Sequence, residues 1–183
     1  NLVINDFLKL VNSKHPIPSA GSSLAVTGSL GASLLGLTAK ISLRKDPTCN
    51  SKLMNDLSKE AEKTAKQFLA FGEEDVIVYN KVIKKEKGAK EQAVDMPLLI
   101  AELALNLVKK YEAVVDNCYK PVKGDAWLGI ELLKTCAKSA VYIAIVNISF
   151  LKPEYEREFY DRINYIQSEL NTQCTPSGCT LSK

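Results

Sequence analysis

The chain has 183 residues, 46% hydrophobic and 25% charged, with 24 Lys and Arg against 21 Asp and Glu for a net charge of +3. This composition excludes a disordered or nucleic-acid-coating chain and fits a single domain, long enough to bury ~70% of its unfolded surface. Five scattered cysteines (Cys49, Cys118, Cys136, Cys174, Cys179), without a CxxC pair and with one histidine to join them, argue against a zinc site or a secreted disulfide framework and point to a reducing cytoplasm.

Asn5 to Val11 reads as a short amphipathic turn or two. The next stretch, "HPIPSAGSSLAVTGSLGASLLGLTAK", carries no charge between His15 and Lys40. It is long enough to span a membrane, but seven hydroxyl residues and four glycines between Pro16 and Ala39 make a poor apolar segment. A buried helix fits better, and no membrane partner is expected. Small residues at Gly21, Ala25, Gly28, Ala32, Gly36 and Ala39 line one helical face with almost no bulk, so that a second helix or a ligand can come close. Leu30, Leu34, Leu37 and Ile41 form a second, apolar stripe, which predicts a helix buried on two sides.

Ser51 to Lys87 has Leu53, Leu57, Ala61, Thr64, Phe68, Val76, Tyr79 and Ile83 in helical spacing, a long helix with a bend allowed at Gly72. Ala89 to Tyr119 reads as another, kinked at Pro97 or restarted there with Asp95 as cap. Asp125 to Phe150 is a third, nearly all apolar in its second half, and a last amphipathic helix runs from Pro153 to about Leu170. No alternating strand or hairpin signal is found. The expectation is an all-α, single-domain bundle of five to six helices over residues 1–171. The turn-rich residues 172–183 are expected to form a loosely ordered tail.

Four segments then carry a resemblance. "FLKLVNSKHPIPSAGSSLAVTGSLGASLLGLTAKIS", "FGEEDVIVYNKVI", "AKEQAVDMPLLIAELALNLV" and "GDAWLGIELLKTCAKSAVYIAIVNISFL" resemble, in order and spacing over about 150 residues, motifs of the cyclodeaminase/cyclohydrolase family. That family comprises the C-terminal domain of formiminotransferase-cyclodeaminase and free-standing relatives that include methenyltetrahydrofolate cyclohydrolase. The resemblance implies an all-helical homodimer acting on a tetrahydrofolate derivative, with no cofactor beyond that substrate and no nucleic acid partner. In the cyclodeaminase reaction, nitrogen 10 of 5-formiminotetrahydrofolate attacks the formimino carbon and ammonia leaves; in the cyclohydrolase reaction, water adds to the same carbon of the methenyl compound. Both need proton transfer and orientation.

The resemblance also nominates residues. Asp125 and Asp75 are the candidate catalytic groups; Pro18, Gly21, Ser22, Lys40 and Asn147 are the candidate substrate-binding ones; no metal ligand is expected. Each has a plainer role available. Asp125 can cap its helix, Asp75 can lie on a solvated face, and Asn147 can satisfy its amide between two helices. Lys40, with Arg44 and Lys45, can complement the end of a helix dipole. The lysines at 81, 84, 85, 87 and 90 can bind a polyanion or simply face water, and His15 is expected to be an exposed loop residue. The family's three consecutive glycines fall on Ser19, Ala20 and Gly21, so that two are replaced, and its G-N-x-N before the Asp125 position is absent. These departures keep a second reading open: a non-catalytic folate-binding or structural dimer of the same fold. The site is expected where the Pro16 to Ser22 loop, Asp75 and Asp125 converge.

Overall fold

Helix α2 (Ala20–Lys45) is the helix around which the others assemble, because its small residues let two neighbours approach at once. In the computed structural model, which describes residues 4–172, α1 (Ile4–Val11) precedes it, and α3 (Ser51–Ile83), α4 (Ala89–Tyr111), α5 (Val114–Asn117), α6 (Lys123–Ile148) and α7 (Glu156–Thr172) follow. Short 3-10 turns stand before α6 and α7, and no strand occurs among the described residues. The seven helices exceed the expected five to six because the short α5 separates from α4. Cys174, Cys179 and the rest of the expected tail lie outside the described residues.

Helices α2, α3, α4 and α6 form a four-helix ring in which α2 touches α3 and α6 while α4 closes the ring from the other side. Toward α3, a Cβ at Gly28 would come within 2.7 Å of the Phe68 ring, and one at Gly72 within 2.8 Å of Ala25. Toward α6 the approach is backbone to backbone: a Cβ at Gly31 would lie 2.9 Å from the Gly129 carbonyl, and one at Gly129 3.0 Å from the Gly31 carbonyl. The Cys136 thiol, its pKa pushed up to about 12 by burial, donates to the Leu24 carbonyl at 3.4 Å, and Ser42 Oγ accepts from the Tyr119 amide at 3.0 Å. Together these contacts set α6 antiparallel to α2.

By length and hydropathy α2 could cross a membrane, but half of its most apolar window is buried in the bundle. Gly31 and Leu35 face Gly129 of α6, and Leu24 and Ser42 are bonded to Cys136 and Tyr119. The expected second buried stripe is therefore corrected: Leu30 is 51% and Leu37 43% exposed, and Leu34 and Ile41 are half-buried. Apolar periodicity marks a face that avoids water, but it does not say which neighbour covers that face.

Helix α4 also departs from expectation. It runs unbroken through Pro97 and stops at Tyr111, well before Tyr119. Proline removes the N–H that would have reached the Ala93 carbonyl. Asn147 of α6 fills that vacancy, its Nδ2 donating to Ala93 O at 2.7 Å. Asp95 does not cap a new helix; it pairs at 2.5 Å with Arg162 of α7, whose Nε also donates to Glu102 at 2.7 Å. The two carboxylates raise the already high pKa of the guanidinium and fix α7 across α4.

Candidate functional site

The first turn of α2, the second half of α3, the start of α4 and the C-terminal end of α6 enclose a cavity of about 380 Å³. Its walls are mainly apolar, from Val78, Val82, Ile143 and Phe150, with Tyr79 one turn beyond Asp75. Its charged lining residues are one anion, Asp75, and one cation, Lys90. A concave, mostly apolar site with a few convergent polar groups is the usual form of a small-molecule pocket.

Asp75 is placed by Gly21. A Cβ at residue 21 would overlap the Asp75 carboxyl group, so glycine is what lets the acid lie against the opening turn of α2. The N-cap residue Ser19 supplies no side-chain bond to that turn. The Asp75 carboxyl is thus at the positive end of the α2 dipole. It is half-buried and makes no hydrogen bond or ion pair with the described residues, and burial pushes its pKa above the ordinary value.

Ser19 and Ala20 also line the cavity, but both are exposed, whereas Gly21 is buried. Of the three positions matching the family's glycines, the chain keeps glycine at the one where a side chain would displace Asp75.

Asn147 lines the same cavity. Its amide nitrogen is committed to Ala93, which leaves the amide oxygen as its acceptor for a ligand. Lys90 stands exposed at the rim, its Nζ donating to the Phe150 carbonyl at 3.1 Å just past the end of α6.

Of the nominated residues, Gly21, Asp75 and Asn147 meet here; the others do not line the cavity. Pro18 is half-buried and Ser22 buried, flanking the Ser19 to Gly21 segment. Lys40 is about 28 Å along α2 from Gly21 at 1.5 Å per residue, and it faces Glu62 of α3 at 3.8 Å. Asp125 is not the N-cap: a 3-10 turn at Lys120–Val122 starts the helix earlier, Val122 takes the cap position, and Asp125 falls in the first turn. It lies about 33 Å from Asn147 along α6, so the expected convergence of Asp125 with Asp75 does not occur within one chain. His15 is exposed, as expected.

Tyr79, Ile143 and Phe150 were not nominated from sequence. Tyr79 had a signal, its position four residues after Asp75 on one helix face; Ile143 and Phe150 look like ordinary apolar helix residues. Among the described residues, no three of His, Cys, Asp or Glu gather where a metal ion could be held.

Comparison with known proteins gives a consistent result. A family model described as formiminotransferase-cyclodeaminase matches residues 3–165. The fold is similar to the crystal structure of a formiminotetrahydrofolate cyclodeaminase from Thermotoga maritima, with a TM-score of 0.85 at 16% identity over 93% of this chain and 90% of that one. A comparison with curated proteins gives no significant match.

Proposed function

The chain belongs to the formiminotransferase-cyclodeaminase family, and from that premise we propose that it acts on the one-carbon unit at nitrogens 5 and 10 of a tetrahydrofolate derivative. The reaction is formiminotetrahydrofolate cyclodeamination or methenyltetrahydrofolate hydrolysis, with the folate as substrate and no further cofactor. The observation that carries this reading is the Gly21–Asp75 arrangement: a desolvated carboxyl, without a partner among the described residues, in an apolar cavity at a helix N-terminus. A carboxyl with a raised pKa is suited to exchanging a proton with a ring nitrogen or a leaving amine. The Tyr79 and Phe150 rings supply flat apolar walls for a bicyclic heterocycle, and the Asn147 amide oxygen can accept from its N–H groups. Three free cysteines among the described residues fit the proposed reducing cytoplasm.

Asp125 enters through a homodimer. Val26, Leu30 and Leu37 of α2 and Leu128, Tyr142 and Val146 of α6 are exposed apolar side chains on two adjacent helices. Between His15 and Lys40 the chain has no charge to oppose pairing of this face. A two-fold axis across the middle of α6 would set the Asp125 end of one copy beside the Asn147 end of the other. Each cavity would then hold Asp75 from its own chain and Asp125 of the partner subunit.

Mixed subunits test this directly, using absorbance of 5,10-methenyltetrahydrofolate to follow its formation and decay. Asp75→Asn and Asp125→Asn should each be inactive alone. Unfolded and refolded together, they should recover about a quarter of the parent activity, since half the dimers are mixed and each mixed dimer rebuilds one of two sites. Asn can take the place of Asp in a helix first turn, so the fold should survive. No recovery would overturn the shared site, and full activity of Asp125→Asn alone would remove Asp125 from the chemistry. Failure of the parent protein to bind any tetrahydrofolate derivative would overturn the enzymatic reading in favour of a non-catalytic dimer.

A further inference from the structure

A proline within a helix ordinarily marks a kink or a boundary, yet α4 continues through Pro97. Pro97 is buried and does not line the cavity, whereas Ala93 and Asn147 both do. What the proline changes at the cavity is one acceptor. Without an N–H at residue 97 the Ala93 carbonyl has no partner inside α4, and Asn147 Nδ2 donates to it at 2.7 Å. A carbonyl only accepts, so the end of the amide turned to Ala93 has to be the nitrogen, and the oxygen is left as the free acceptor. An asparagine in an apolar wall without such a partner could present either end.

The bond is one of a pair at the junction of α4 with α6. Asn147 of α6 reaches the Ala93 carbonyl of α4, and Lys90 of α4 reaches the Phe150 carbonyl at 3.1 Å, just past the end of α6. The Lys90 bond ties the two helices together without any help from residue 97. Only the orientation of the Asn147 amide depends on the proline. We propose that Pro97 is a positioning residue for the ligand: by withholding its N–H it locks the Asn147 amide with the oxygen as acceptor, and so makes this wall select a heterocycle that offers an N–H there. This rests on the folate reading above and specifies what the wall reads, an N–H of the reduced heterocycle rather than its carbonyl oxygen or an unprotonated ring nitrogen. With the amide released, its NH₂ end could face the ligand as readily as its oxygen, and that selection would be lost.

A double-mutant cycle of Pro97→Ala and Asn147→Leu tests the proposal, read by equilibrium binding of 5-formyltetrahydrofolate and by thermal melts. Pro97→Ala should fold, because α4 regains a backbone bond and the Lys90 bond is untouched. It should bind the ligand about fivefold more weakly, the usual worth of one neutral hydrogen bond. Asn147→Leu should lose at least as much affinity, since the acceptor itself is gone. On the Asn147→Leu background, Pro97→Ala should cost no further affinity and should recover stability, because the restored N–H satisfies the Ala93 carbonyl that leucine leaves bare. A proline that serves only the packing or the course of α4 would cost the same affinity on both backgrounds. That additivity, or parent-level affinity in Pro97→Ala, overturns the proposal and leaves the folate reading standing. Failure of the parent to bind 5-formyltetrahydrofolate overturns the folate reading itself, and this proposal with it.

Discussion

Asp75→Asn should fold, bind its ligand less tightly and lose about a hundredfold or more of its turnover, the range typical for a positioned general acid or base. Asn has the same outline as Asp, so its fit against Gly21 is kept while the exchangeable carboxyl proton is lost. Gly21→Ala is the complementary change: the carboxyl remains, but a methyl group occupies its place, so turnover should fall without loss of the titrating group. The two variants differ in stability against pH. Burial raises the Asp75 pKa in the folded state, so between the unfolded and folded values the folded protein binds more protons than the unfolded one. Stability contributed by this residue is therefore present at low pH and declines as pH rises through that window. Asp75→Asn should be more stable than the parent at neutral pH, with the difference vanishing in acid, whereas Gly21→Ala should show no such gain. Thermal melts at several pH values, with the methenyltetrahydrofolate assay beside them, check both. Parent-level turnover in Asp75→Asn would remove the acid from the chemistry.

Gly31→Leu should be the most destabilising single change on α2, at about 3 kcal/mol or more, the upper end for overpacking a tight contact. Gly28→Leu should follow it. Spacing alone favours Gly28, which sits on the small-residue stripe, but the structure reverses the order. At Gly28 the obstacle is the Phe68 side chain, which can shift at some cost. At Gly31 it is the Gly129 carbonyl, and α6 cannot recede there without leaving α2 along its length. Urea denaturation of the two variants gives the comparison; an unchanged midpoint for Gly31→Leu would contradict the packing described.

The small-residue spacing in α2 was legible because removing bulk along one face has no other common purpose in a helix. Asn147 was legible too, since an amide in an apolar run must find a partner, and it finds Ala93. The position of Asp125 was not: Gly124–Asp125 resembles a cap, but Pro121 lies in a 3-10 turn that leads into α6 earlier. Nor was the fate of Leu30 and Leu37. An apolar stripe reads the same whether its own chain or another copy covers it. The cavity was half legible, through Gly21, Asp75 and Asn147; Phe150 and Ile143 join it only because α6 runs antiparallel to α2, a relation local patterns do not encode.

Pro97 and Asn147 bear on how such a chain can drift. Restoring an N–H at residue 97 would reclaim the Ala93 carbonyl for α4 and leave the Asn147 amide without its partner; replacing Asn147 first would leave the carbonyl unsatisfied beside the cavity. Each substitution is costly on the background of the other and mild once both have occurred. The two positions, 50 residues apart, are therefore expected to change together or not at all across lineages that keep this fold, and a chain found with only one of them altered should carry its compensation in the shape of the cavity wall.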